Sequence, residues 1–473
     1  MNFKKTVAIA AAAGALAAVS VPAMAFENEF HGMYRSFGYV TNALSGAGGF
    51  NLDNGATADK YFEQRARLQY IAKASDDLKL VTHFEIDNKF GGANTSSKYV
   101  VTDGGGLDTD RLSLETKSVY LDFNVPMIGT NVKMGAQPYN DAMFGLFGNF
   151  DATGIVLGKK FNDQLSASYG YFTVGSSSTT GVGYSALTLG ANGGKGTDFY
   201  TQDLNTFDVK YALNKDLTLG ASYYLILDKF NDTGKTAGNH TLGLNGAGKF
   251  GPVSLTAALG YQTGKSNTND KATLIATTGG GSSLTHADTS AYAVALATKT
   301  AVGPGNVLLS ALYLSGDENG TGDNKGWQPI GDGVTYFTQS NMWLLVRNGA
   351  TINSSTAVGG SSDITRGGVG IAGLFLGYEG TADKLFYNGN IGWAQVAEGR
   401  NITTNAKTNS KDLGYEFNAT VGYKLYSNLT ASATAAYLVL GDAYGKSTGV
   451  LLKGGVADAS NPYLTNVQLN YTF

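Results

Sequence analysis

The eleven residues that close the chain, YLTNVQLNYTF, alternate in character. Tyr463, Thr465, Val467, Leu469, Tyr471 and Phe473 fall on one face, and Leu464, Asn466, Gln468, Asn470 and Thr472 on the other. That period of two belongs to a strand and not to a helix. An aliphatic and aromatic face backed by an amide-rich one suits a wall between lipid and water. The pattern recurs at 412–425, where Leu413, Tyr415, Phe417 and Val421 oppose Gly414, Glu416, Asn418 and Thr420. It recurs again at 61–73, where Phe62, Ala66, Leu68 and Tyr70 oppose Glu63, Arg65, Arg67 and Gln69.

Composition narrows the class further. The 473 residues include 65 Gly, 7 Pro, 27 Tyr and 23 Phe, and only 15% are charged, against about 25% in an ordinary soluble chain. The lack of cysteine excludes disulfides, thiolate metal sites and covalent CxxCH haem attachment within this chain. No cofactor is expected, and any redox centre would belong to a partner. The net charge of −3 makes nucleic acid an unexpected partner.

At the start, Lys4 and Lys5 precede an apolar stretch from Val7 to Val19 and the small-residue site Ala23-Met24-Ala25. Residues 1–25 therefore read as a cleaved secretory signal of the Sec route, leaving 26–473 as one domain. The apolar stretch is shorter than the ~20 residues that span a bilayer as a helix. Later apolar runs such as 435–440 are shorter still.

Tight turns are expected near Ser75-Asp76-Asp77, Pro126 to Thr130, Asn162-Asp163, Asn214-Lys215-Asp216, Gly251-Pro252, Val302 to Asn306, Gly380 to Lys384, and Tyr426-Ser427-Asn428. Between them lie nine Gly/Ser/Thr/Asn-rich segments. Eight turns and nine loops give eighteen strands. The stretch YFTQSNMWLLVRNGA, within the long loop 316–365, could hide another hairpin or a short helix folded into a pore, so sixteen to twenty strands are allowed. The expected fold is all-β: a transmembrane antiparallel barrel with short periplasmic turns and long extracellular loops.

With these residues in view, the chain resembles bacterial outer-membrane porins. Phe473, preceded by Tyr471, Leu469 and Val467, resembles the signal read by the barrel-assembly machinery. TKSVYLDFNVPMIGTNVKMGAQPYNDAMFGLFGNFDATGI resembles the hairpin and inward-folded constriction loop of general porins, placing that loop at 138–152. YFEQRARLQYIAKASDDLKLVTHFEID is similar to strands of porins from anaerobic metal-reducing bacteria. In length the chain is nearer the eighteen-stranded substrate-specific porins. The resemblance implies residence in the outer membrane of a Gram-negative bacterium, in contact with its lipid, and assembly as a homotrimer.

Candidate pore-lining residues follow from the alternation. Arg35 (with Glu29 and His31), Glu63, Arg65, Arg67, Lys79, His83, Glu85 and Lys133 point to one side of their strands. A lipid-facing Arg or Lys costs roughly 2–4 kcal/mol at the midplane, so that side is the lumen. Two arrangements are open. Arg35, Arg65, Arg67, Lys79 and Lys133 could form a basic wall facing Asp141 and Asp151 of the constriction loop, giving a transverse field that filters solutes. Alternatively, they pair with Glu63, Glu85 and Asp87 and keep the lumen wet. Phe144, Phe147 and Phe150 either narrow the pore or anchor the loop, and Trp343 and Arg347 suggest a packed loop cluster.

No enzyme is expected. Gly368 to Gly373 matches GxGxxG but does not open a helix. The acidic run from Asp317 reaches Gln328 where a calcium loop needs Glu. His31, His83, His240 and His286 are scattered without metal-ligand spacing. The expected function is a water-filled channel for passive diffusion of ions and small polar solutes. The alternative is a barrel sheathing a multihaem cytochrome partner in an electron conduit.

Overall fold

The computed structural model describes residues 27–42, 58–90, 114–178, 199–228, 237–265, 286–318, 322–330, 337–345, 368–400, 407–444 and 460–473. Residues 1–25, expected to be a signal segment, and 346–365, with Arg347, lie outside them.

Alternation becomes strand throughout. The first half of the chain forms β1 (Glu27–Thr41), β2 (Asp59–Ser75), β3 (Leu78–Lys89), β4 (Glu115–Val125), β5 (Thr130–Asn140), β6 (Asn149–Lys160), β7 (Leu165–Ser178), β8 (Phe199–Asn214) and β9 (Leu217–Asp228). The second half forms β10 (Ala237–Phe250), β11 (Val253–Lys265), β12 (His286–Val302), β13 (Gly305–Leu314), β14 (Gly322–Asn324), β15 (Ile371–Ala382), β16 (Leu385–Gln395), β17 (Asp412–Tyr426), β18 (Leu429–Leu440) and β19 (Tyr463–Thr472).

Eighteen of these nineteen strands make the wall. Each pairs antiparallel with the next, β13 bypasses the three-residue β14 to pair with β15, and β1 pairs with β19. The sheet is therefore closed, and every wall strand has a neighbour on both sides. Closure matters because lipid offers no partner to a backbone N–H or C=O.

All eight expected turns are present. Several need a left-handed residue: Gly129, Gly251 and Gly303 have φ of 57°, 60° and 58°, and Asp383 has 55°. Others are tied by a side chain. The Asn162 carbonyl accepts from the N–H groups of Gln164 and Leu165, and that of Asn214 from Asp216.

Burial follows the same parity. On β17, Tyr415, Phe417, Val421 and Tyr423 are exposed outward while Glu416 and Asn418 are buried inward. The seam closes with the chain terminus. Gly32 and Phe473 exchange backbone hydrogen bonds of 2.9 and 3.1 Å. A Cβ on Gly32 would sit 2.5 Å from the Phe473 ring, so the glycine makes room for that ring on the outer face. Tyr471 stacks beside Phe473 at 5.6 Å.

Candidate functional site

The lumen has two unlike sectors. On β1 to β5 the register sets Arg35 opposite Arg65, Arg65 opposite Asp87, Arg67 opposite Glu85 and Lys133 opposite Asp122. Direct opposition brings Cβ atoms close enough for side chains to pair. Arg65 Nε donates to Asp87 Oδ1 at 2.8 Å and lies 3.2 Å from Glu85 Oε2, which Arg67 also contacts. Lys79 Nζ is 3.5 Å from Asp122, and Lys89 Nζ is 3.7 Å from Glu63. Arg35 donates to Asn470 at 3.2 Å and lies over the Phe37 ring. His83 faces Gln69 across the same pair of strands. Arg65, Arg67 and Lys79 thus take the paired arrangement, while Arg35 is held by an amide and Lys133 has no ion pair among the described residues. The guanidinium groups keep partial exposure, 17% for Arg65 and 29% for Arg67.

The loop expected at 138–152 is shorter than the sequence suggests. Tyr139 and Asn140 end β5, Phe150 and Asp151 lie in β6, and the connection is 141–148. It does fold inward, but neither acid faces the arginines. The Asp141 carboxylate accepts N–H groups of its own loop, from Met143 and Gly145 at 2.8 Å, Phe147 at 2.6 Å and Gly148 at 2.7 Å. A short anionic side chain among orphan amides is satisfied locally, and that outcompetes a distant cation. Burial holds the Asp141 carboxyl above the ordinary aspartate range, while the four donors pull against that shift. Asp151 sits on the strand face opposite Phe150 and pairs with Lys117 at 2.9 Å.

Of the loop aromatics, Phe147 is fully buried, with its ring 4.7 Å from that of Tyr224. Phe150 stands 5.1 Å from Tyr139. Phe144 takes φ of 62° and packs on the same core. These contacts anchor the loop to the wall.

The second sector, on β9 to β17, is covered. Two pieces of the long loop, 322–330 and 337–345, lie inside the barrel against it. Trp327 is 1% exposed and donates Nε1–H to the Leu146 carbonyl at 2.7 Å. Ile330 N–H reaches the Phe147 carbonyl at 2.7 Å, so the two inward loops are one body. Gln262 of β11 binds both the N–H and the carbonyl of Gln328. Further along, Thr338–Ser340 forms a single 3₁₀ turn. The fully buried Glu416 then accepts N–H groups of Trp343, Leu344 and Leu345 at 2.7, 2.9 and 2.6 Å. The described part of the stretch expected to hide a hairpin or a short inward helix, 337–345, forms no hairpin and is a loop with one 3₁₀ turn folded into the barrel.

Glycines make the seats. A Cβ on Gly243 would lie 2.3 Å from Met143 Sδ, on Gly260 2.4 Å from the Trp327 ring, and on Gly392 2.5 Å from Met342 Sδ. Glu416 and these three glycines were missed as functional residues by sequence reasoning. Their one signal is inward parity: a carboxylate or a side-chain gap aimed at the lumen where the wall would otherwise be amide and hydroxyl.

No family model and no curated protein matches the chain. Solved structures do match. The outer-membrane protein OpdK of Pseudomonas aeruginosa aligns over 94% of this chain and 98% of its own, with TM-score 0.52 and 12% identity. OccAB4 of Acinetobacter baumannii aligns over the same shares with TM-score 0.51 and 15% identity. OccK8 (OprE) of Pseudomonas aeruginosa gives 0.53 and 13%, again over 94% and 98%. This chain shares their fold. At such identities the likeness speaks for the eighteen-stranded barrel alone.

Proposed function

We propose that this protein is an outer-membrane porin, a water-filled channel through which ions and small polar solutes diffuse. The observation that carries the reading is the division of the inner wall. Loops cover β9 to β17, whereas the charged residues of β1 to β5 keep solvent access, as the partial exposure of Arg65, Arg67 and Lys79 records. A hydrated strip of fixed charges beside a rigid body is what a selective aqueous path needs. OpdK has also been solved with vanillate, so small carboxylates are the first solutes to test.

The conduit alternative has less support. A multihaem partner would need the space that 141–148, 322–330 and 337–345 occupy. The same proposal includes export by the Sec route, insertion through Tyr471 and Phe473, and a homotrimer like those of the resembled porins. Planar-bilayer recording of the detergent-purified protein tests it, with reversal potential under a salt gradient. Stable current steps with a definite ion preference are expected. A barrel that inserts but stays silent would overturn the reading.

A further inference from the structure

The turn-side mouth carries a feature that neither sector accounts for. Lys133 on β5, Lys160 on β6, Lys210 on β8, Lys249 on β10 and Lys424 on β17 all stand within four residues of the turn-side end of their strands. Each has inward parity. Their strand neighbours Met134, Tyr211, Phe250 and Tyr423 are among the apolar residues exposed on the outer face. None of the five has an ion-pair partner among the described residues.

Three more inward lysines share this band, and each is neutralised. Lys73 lies 3.1 Å from Glu27, Lys79 3.5 Å from Asp122, and Lys299 2.5 Å from Glu379. Among inward strand positions the remaining carboxylate is Glu29, 3.4 Å from His31, while the turns below carry Asp76, which also contacts Lys73 at 3.1 Å, and Asp77, Asp163, Asp216 and Asp383. On the inward strand faces of this band eight lysines thus meet four carboxylates, whereas higher in the barrel Arg65, Arg67, Lys89 and Lys117 have acidic partners and Arg35 is held by the Asn470 amide. Among the inward strand positions of this band the excess is positive.

Unpaired lysines would repel one another, so a collar of them focuses a field that favours anions. With strands about 4.8 Å apart, the arc from β5 to β10 is about 24 Å long, too wide for one monovalent ion to bridge. A chain of anionic groups can touch several lysines at once, each acting as a point-charge phosphate binder. We propose that this collar is a binding site for phosphate-bearing polyanions at the turn-side mouth, and that such anions block current from that side only. The second clause rests on the channel reading, and the first does not.

The test adds inorganic tripolyphosphate to each chamber in turn while single channels are recorded at ~0.1 M salt, where the screening length is about 10 Å. Block should occur from one side at a concentration roughly tenfold or more below that needed from the other, and weaken in ~1 M salt. The variant carrying Lys133→Gln, Lys160→Gln, Lys210→Gln, Lys249→Gln and Lys424→Gln should lose this asymmetry. If that variant fails to assemble, Lys210→Gln with Lys249→Gln alone should reduce it. Symmetric block, or equal block in wild type and variant, would overturn the proposal while leaving the porin reading intact. Should no current appear at all, calorimetric titration of tripolyphosphate into the solubilised protein still decides the binding site. Heat that is lost in the variant supports it, and no heat refutes it.

Discussion

The inner walls of β1 to β5 and of β9 to β17 are built on the same parity yet do opposite things. In the first, long charged side chains on neighbouring strands satisfy one another, as Arg65 does with Asp87 and Arg67 with Glu85. They need no loop above them. In the second, glycines and alanines leave gaps, and loop side chains fill them: Met143 over Gly243, Trp327 over Gly260, Met342 over Gly392. A barrel this wide cannot be filled by its own wall residues. The comparison teaches that residue size on the inner face decides where the lumen is solid and where it is wet.

The largest effect should come from refilling a seat. Gly260→Leu would drive a side chain into the Trp327 ring, and overpacking of this kind typically costs about 1–3 kcal/mol. Displacement of 322–330 should raise single-channel conductance roughly twofold or more, because a bulk of that size otherwise blocks the lumen. Unchanged conductance in a correctly assembled variant would mean the loop does not limit the pore. Removing the anchor instead of the seat should act in the same direction. Glu416→Ala leaves three N–H groups without their acceptor, each such bond to a charged group being worth about 1.5–3 kcal/mol. Bursts of larger current are expected, and Glu416→Gln should fall between wild type and Glu416→Ala.

In the charged sector the effect should be on sign and not on size. Arg65→Gln with Arg67→Gln leaves Glu85 and Asp87 without those partners, so the reversal potential should move toward cation preference. Conductance should change by less than about twofold, since no loop is released. A conductance jump as large as that of Gly260→Leu would erase the distinction between sectors.

The smallest effect concerns pH. Burial raises the Asp141 carboxyl above its ordinary value, so the latched loop binds the proton more readily than a released one. Acidification from neutrality toward the ordinary aspartate range near ~3.9 therefore favours the latched state. Open-channel noise attributable to 141–148 should stay level or fall over that interval. A rise that is absent in Asp141→Ala would contradict the assignment.

The wall was legible in the sequence because each strand carries its own parity and each turn its own Gly, Asn or Asp. Glu63 and Arg65 could be placed inward from Phe62 and Leu68 alone. The loops were not legible for a physical reason. Asp141 and Glu416 look like pore charges until the backbone amides that surround them are known, and those amides carry no side-chain signal. The inward packing of Trp327 and Met342 depends on glycines 67 and 50 residues away, a pairing that local periodicity does not encode. Asp151 was misplaced because Pro138 and Tyr139 read as the end of a strand that continues through them.

Because the chain has no native cysteine, one measurement addresses the two-sector account directly. Gln69→Cys places a thiol on the charged wall opposite His83, and Ala293→Cys places one on the covered wall, where Ala293 is 1% exposed. A charged, water-soluble methanethiosulfonate reagent is then added during single-channel recording. The account predicts a stepwise fall in current for Gln69→Cys and none for Ala293→Cys. Modification of Ala293→Cys at a comparable rate, with Gln69→Cys unaffected, would place the water path on the other side of the barrel and contradict it.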